Sequence, residues 1–512
     1  MKSSLKGSSD SSMRRVVPKT RQLLLGIDIG SSGVKAVLLD PDQGIIASSN
    51  FDVDQYSEYP GWSEADPLQW WNALPVLIAQ LLESATASSA DVKALAVSGM
   101  VPAVLVLDAK TRPLRRAILQ NDARATAEIK EIRQKLGELD LLGLTGSVLS
   151  QQSVAPTALW LSRHEPAVWS SAVSIVGSYD WLAIMLGASV HVEQNWALES
   201  GLFTLELDQL DEVLEAIGVT WPLVPEVKRT GDDVGSLSAS AANFTGLTEG
   251  TRIVVGGADH VLSAFGAGLV EEGDCLVKLG GAGDILAVSD RVFLDERLYL
   301  DAHPVPGKWL PNGCMATSGS LLRWEQSIFN GVALVELDDA ASVSQPGALL
   351  TLPYFLGEKT PLHDPDLRGV MVGMNLATTR GDIHRSFLEA IAYGFRSNFE
   401  VFGEDGLVIR RTRVTNGGSR SRLWREILAS VLQRDLISIV NHPGASYGAA
   451  VIAGIGSGVI AGWSYAGSGL EEGEIISPTP EHVELYAERY AEFVHLTAVT
   501  TPFSHQLARS LS

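Results

Sequence analysis

The sequence predicts an α/β protein of two domains, each a mixed sheet flanked by helices, with a cleft between them. Three observations carry this. Leu23 to Asp40, LLLGIDIGSSGVKAVLLD, reads as strand, tight glycine turn, strand, and Asp274 to Val288, DCLVKLGGAGDILAV, repeats that pattern about 250 residues later. Each hairpin is followed by helical runs alternating with short apolar strands, the pattern of α/β folds. The chain of 512 residues is long enough to bury a core in each half.

The first hairpin carries one carboxylate, Asp28, in an otherwise apolar strand, two residues before the turn Gly30-Ser31-Ser32-Gly33. Burying a charge is costly unless something pairs with it. A carboxylate beside a turn rich in backbone N–H groups points to a metal and a phosphate as its neighbours. In the second hairpin the turn is Gly280-Gly281-Ala282-Gly283. Either turn alone also reads as an ordinary hairpin; the pair reads as a clamp with one jaw per half.

Along the chain, a third strand is expected over 44–53 and a helix over 67–84, where apolar residues recur at helical spacing. A strand over 93–97 leads into a loop at Gly99–Pro102, and residues 110–200 read as mostly helical. A strand ends in Gly256-Gly257-Ala258-Asp259-His260, ahead of a small-residue helix over 261–268. Asp259 then stands at a strand end facing a crevice, where a carboxylate accepts a hydroxyl proton as general base or simply caps the helix. Asn416-Gly417-Gly418-Ser419-Arg420-Ser421 opens another helix, and its N–H groups suit a phosphate or ribose. Residues 444–469 hold no charged side chain, but their glycines favour a buried helix plus loop over a membrane span.

Net charge is −21; the first 22 residues carry six Lys or Arg against one Asp, which leaves −26 for the rest. Such a body repels nucleic acid and anionic membranes while leaving room for a nucleotide held by local dipoles and a metal. Two cysteines, Cys275 and Cys314, fit a reducing, cytoplasmic setting without a disulfide framework. The expected organisation is a flexible, basic, Ser-rich tail over 1–21 with Met13 as an alternative start, an N-terminal domain over 22–255, and a C-terminal domain over 256–512 ending in helices.

Several long segments, in order, resemble the FGGY carbohydrate kinases of the actin-like ATPase superfamily. They are GIDIGSSGVKAVLLD; Pro60–Pro67 with Trp70-Trp71; Pro353–Pro361 continuing to Gly369; NGGSRSRLWREILASVL; and Pro443–Ala450. The resemblance covers about 22–495 and implies two actin-like (ribonuclease H-like) domains closing on ATP, Mg²⁺ and a small sugar. By matching position it implies Asp259 as the general base and Asp28 as the acid that holds Mg²⁺. It implies nucleotide contacts at Gly30, Ser31, Ser32, Lys35, Gly280, Gly281, Gly417, Gly418 and Ser421. Sugar contacts are implied at Met100, Val101, Gln120, Asp122, Asp259 and His260. The 353–369 segment is typical of pentulose kinases, so a pentulose such as xylulose is the expected substrate, with a homodimer as the expected assembly.

The sequence departs from the family at two places. The second turn lacks the hydroxyls of the Gly-Thr-Ser-Gly found in many relatives. In the sugar pocket, Met100-Val101-Pro102 stands for the Met-His-Gly of xylulose kinases, Gln120 for a tryptophan, and His260 for Gln or Asn. These changes keep open another ketose, polyol or sugar acid as substrate, and a non-catalytic nucleotide- or sugar-binding regulator on the same fold. Gln120 and Asn121 have a plain alternative as turn caps. Lys278, two residues before the second turn, is expected as a solvated strand residue, with reach to a phosphate as the alternative.

Overall fold

A computed structural model describes residues 21–219, 223–442 and 444–511. The expected tail, but for Arg21, and Pro443 lie outside them. The first sheet is built from β1 (Leu23–Ile29), β2 (Gly33–Asp40), β3 (Gly44–Asp52), β4 (Val92–Gly99), β5 (Asp233–Ser236) and β6 (Arg252–Ala258), in the order β5-β6-β4-β1-β2-β3. The second comprises β7 (Asp274–Leu279), β8 (Gly283–Ala287), β9 (Tyr299–Ala302), β10 (Trp309–Met315), β11 (Arg411–Thr415), β12 (Leu436–Ile439) and β13 (Glu472–Ile476), in the order β9-β10-β8-β7-β11-β12-β13.

The two sheets share one plan. In each, an antiparallel hairpin (β1–β2, β7–β8) continues into a further antiparallel strand on one side. On the other side, two parallel strands and an antiparallel edge strand follow. The expected duplication is therefore present strand by strand, with β9 as an addition to the second copy.

Strand alternation sends successive side chains to opposite faces. From β1, Leu23, Leu25, Ile27 and Ile29 enter one core together with Trp70 and Leu74 of helix α1 (Pro67–Ser84). The start of α1 is fixed by Asp66, whose side chain accepts from the Leu68 N–H at 3.0 Å, and by Pro67 at the first helical position. Leu24, Ala94, Ala96 and Val254 face the other way, into a separate cluster.

That second face is covered by α7 (Gly444–Ser457), which comes from the far end of the chain. The remaining helices that position the site are α2 (Gln194–Ser200), α3 (Asp259–Gly266), α4 (Gly319–Ile328), α5 (Arg380–Glu404), α6 (Arg422–Leu432) and α8 (Pro480–Leu511). A Cβ at Gly26 would overlap the Ser446 carbonyl, and one at Gly448 would overlap that of Leu262, so glycine lets α7 lie directly against β1 and α3. The charge-free stretch is thus a buried helix, as expected. It runs through Gly454 and Gly456, and the backbone reverses only at Gly458, with φ of 78°. A cut at 255/256 therefore assigns to the second half a helix that completes the layer on the first sheet.

Candidate functional site

A cavity of about 960 Å³ is lined by residues of both sheets, and its wall includes Asp28, Lys35, Asp259, Lys278, Asp284 and Gly417. Strand register explains how the charges meet. Asp28 is paired across the first hairpin with Lys35, and Lys278 across the second with Asp284. Each first-strand residue also has a hydroxyl residue beside it on the parallel neighbour, Ser98 for Asp28 and Thr415 for Lys278.

Burial, reinforced by the charge of Asp259, pushes the Asp28 carboxyl up to about 7, against the pull of Lys35, Ser98 and Lys278. Its Oδ1 is buried and accepts no hydrogen bond. An orphaned carboxylate oxygen of this kind fits a hard divalent cation, so the donor set agrees with a Mg²⁺ site. Lys278 is not a solvated strand residue: its side chain is 15% exposed and its Nζ lies 3.4 Å from Asp284. Burial opposes its charge, but Asp284 and then Asp259 hold the ammonium above its usual pKa.

Asp259 is the first residue of α3, and the cap position belongs to Ala258. Its side chain makes no helix-capping bond; instead Oδ1 accepts from the His260 N–H at 2.6 Å, and the carboxylate stays 39% exposed on the cavity wall. The His260 Nδ1 lies 3.5 Å from Asp259 Oδ1, and its Nε2 lies 2.7 Å from Asp301 Oδ2. Burial would neutralise this imidazole, but Asp301 above all, then Asp259, hold it well above its usual pKa.

Of the remaining candidates, Val101 and Gln120 line the cavity. Met100 is 2% exposed in the core, its backbone tied to Ile29 and Ser178. Asp122 is not on the cavity wall: it accepts from the Ser63 N–H and pairs with Arg124, which also meets Glu64 and lies 3.7 Å over the Trp62 ring. The 60–71 segment thus contributes to a buried ion cluster and supplies a helix cap. Gly30, Ser31, Ser32, Gly280 and Gly281 sit at the two turns, beside the lining residues and not among them. Gly417 lines the cavity and a Cβ there would meet nothing, whereas one at Gly418 would strike Trp424 and Leu279, so Gly418 serves packing. Ser421 caps α6, accepting from the Trp424 N–H at 3.1 Å.

The two turns are held differently. Ser31 and Ser32 are exposed. The second turn is tied down by α4: the Gly280 carbonyl accepts from the Gly319 N–H at 2.8 Å, and that of Gly281 from the N–H groups of Ser318 and Ser320, each at 3.0 Å.

Sequence reasoning missed Glu199, Asp284, Asp301 and Lys359 on the cavity wall. Asp284 had a signal, since it stands on the return strand of the repeated hairpin. Lys359 lies inside the pentulose-kinase-like segment, where the buried Glu358 accepts from the N–H groups of Ala316 and Lys359 and fixes the loop behind the wall. Glu199 and Asp301 belong to no motif. Both cysteines are free. Among the described residues, no helix is long and apolar enough to cross a membrane.

Two duplicated sheets that bring hairpin turns, paired charges and an accessible carboxylate to one cleft define a two-lobed phosphotransferase. Residues 23–266 match the N-terminal domain of the FGGY family of carbohydrate kinases, and residues 297–457 its C-terminal domain. The chain belongs to that family and is an ATP-using carbohydrate kinase. It superposes on the xylulose kinase of Rhodospirillum rubrum with a TM-score of 0.89 at 37% identity, over 94% of this chain and 100% of the other. It is 28% identical to the xylulose kinase of Staphylococcus epidermidis over 484 residues, which is 92% of this chain and 96% of that one. It is also 28% identical to that of Escherichia coli over 419 residues, 81% and 86% of the two chains.

Proposed function

We propose that this kinase transfers the terminal phosphoryl group of ATP, with Mg²⁺, to a hydroxyl of a small pentulose such as xylulose. The observation that carries the reading is the placement of Asp259: an accessible carboxylate at the start of α3, on the wall of a cleft that also holds Asp28 and Lys278. The similarity to xylulose kinases over nearly the whole chain supports the choice of sugar.

Phosphoryl transfer asks for positioning, neutralised charge and exclusion of water. Asp28, with its unpartnered oxygen, would hold the metal, which when bound offsets the polyphosphate charge. Lys278 and Lys35 add positive charge from the two hairpins, and Gly417 leaves an open approach for the nucleotide. As the sugar oxygen bonds to the γ-phosphorus, the bond from that phosphorus to the β-phosphate bridging oxygen breaks and its electron pair leaves with ADP. Asp259 takes the hydroxyl proton. The His260 imidazolium, 3.5 Å from the Asp259 carboxylate, orients that carboxylate beside the reacting hydroxyl.

The test is coupled ADP release over a panel of ketoses, polyols and sugar acids. Xylulose should give the highest kcat/KM, and Asp259→Ala should lower kcat by about 10³-fold while ADP binding persists. Sugar-independent ADP release, or full activity in Asp259→Ala, would sink the proposal.

A further inference from the structure

This inference rests on the sugar-kinase reading above and concerns the wall beside Asp259. Glu199 arrives from α2, Asp301 from β9 and His260 from α3, and one ligand atom from each lies within 4.8 Å of the other two. Asp301 is 1% exposed; its Oδ2 accepts from His260 Nε2 at 2.7 Å and from Asn312 Nδ2 at 2.8 Å. Its Oδ1 accepts from nothing, and Glu199 Oε1 is likewise buried without a donor. Burial, then the charge of Asp301, pushes the Glu199 carboxyl well above the usual carboxylate range, so Glu199 keeps its proton and shares it with Asp301.

Buried polar atoms left without partners are costly, and clustered on a cavity wall they mark places where a ligand completes the set. We propose that Glu199 and Asp301 are an acceptor pair for two hydroxyls of the sugar, anchored next to the base through His260. The carboxyl oxygens not engaged by the proton that Glu199 and Asp301 share accept from the sugar O–H groups, so this end of the pocket selects a neutral polyhydroxylated chain. A site built to hydrogen-bond a hydroxyl discriminates strongly against the analogue without it, because its own acceptors then stay unpaired. The three side chains are not read as a metal site, since His260 Nε2 is already committed to Asp301.

The test is a cycle of two changes, one on each partner. kcat/KM is measured for xylulose and for its single-deoxy analogues with wild type, Glu199→Ala and Asp301→Asn. Each variant should lose about 10–100-fold on xylulose, mainly through KM, and the loss should fall below about threefold for the one analogue that lacks the contacted hydroxyl. Unchanged ADP affinity by calorimetry shows that the variants are folded. Variants that bind ADP yet stay within about threefold of wild type on xylulose, or lose equally on every analogue, overturn the acceptor pair. So does Zn²⁺ binding, measured with the metal alone, that Asp301→Asn abolishes and xylulose does not displace. A wild type that phosphorylates no ketose or polyol overturns the functional reading itself, a result distinct from these.

Discussion

Two residues before their turns, the first hairpin carries Asp28 and the second Lys278. Across the register stand Lys35 and Asp284, so the same topology presents an acid–lysine pair in one lobe and its charge inverse in the other. The turns differ as well: one keeps exposed serines, and the other is all backbone and alanine, bound to α4 through its carbonyls. A duplicated frame is thus made asymmetric by few side chains. One lobe offers a carboxylate suited to a cation, the other an ammonium suited to phosphate oxygens, and a polyphosphate with its metal needs both.

The largest expected effect that would break this comparison is at Asp28. Asp28→Asn removes the charge but keeps the shape, and kcat/KM should fall about 10²–10³-fold with a weaker response to Mg²⁺ titration. A variant as active as wild type would mean that the acid is only structural. Lys278→Met should come next, with about a tenfold or greater loss concentrated in the KM for ATP, because it also leaves Asp284 unpaired; steady-state kinetics with varied ATP would reveal it.

The comparison is sharpened by stability of the second lobe. His384 on α5 is fully buried between Glu325 of α4, at 2.6 Å, and Asp338, at 2.9 Å. Burial lowers its pKa, but Asp338 and Glu325 outweigh that and raise it from 6.5 to about 9. A raised folded-state pKa stabilises fully below the unfolded value of 6.5, and the contribution fades as pH rises through 9. His384→Gln should therefore cost about 3 kcal/mol in denaturant unfolding at pH 7, and clearly less at pH 10. An equal cost at both would argue against the ion pairs. The smallest effect is expected at the second turn. Ala282→Ser restores a hydroxyl at an exposed position, and the KM for ATP should change by less than about threefold.

The frame was legible in the sequence because hairpins and parallel strands follow local rules of period and glycine placement. Asp28 and Asp259 stood out for the same reason, a charge set against an apolar strand or at its end. Lys278 was misread because surface preference ignores a partner six residues on, across a turn. The ion cluster around Asp122 was not legible, because a motif match does not say which way a side chain points. Glu199 and Asp301 carried no signal: each lies on an unremarkable stretch, and only the packing of α2 against β9 brings them together.

The helix α7 has a consequence for the order in which the protein matures. The face of the first sheet that carries Leu24, Ala94, Ala96 and Val254 is covered by residues not yet synthesised when that sheet is complete. During translation this face waits, apolar and open, until residue 457 has left the ribosome. A fragment ending after α3 is therefore expected to aggregate where the full chain does not.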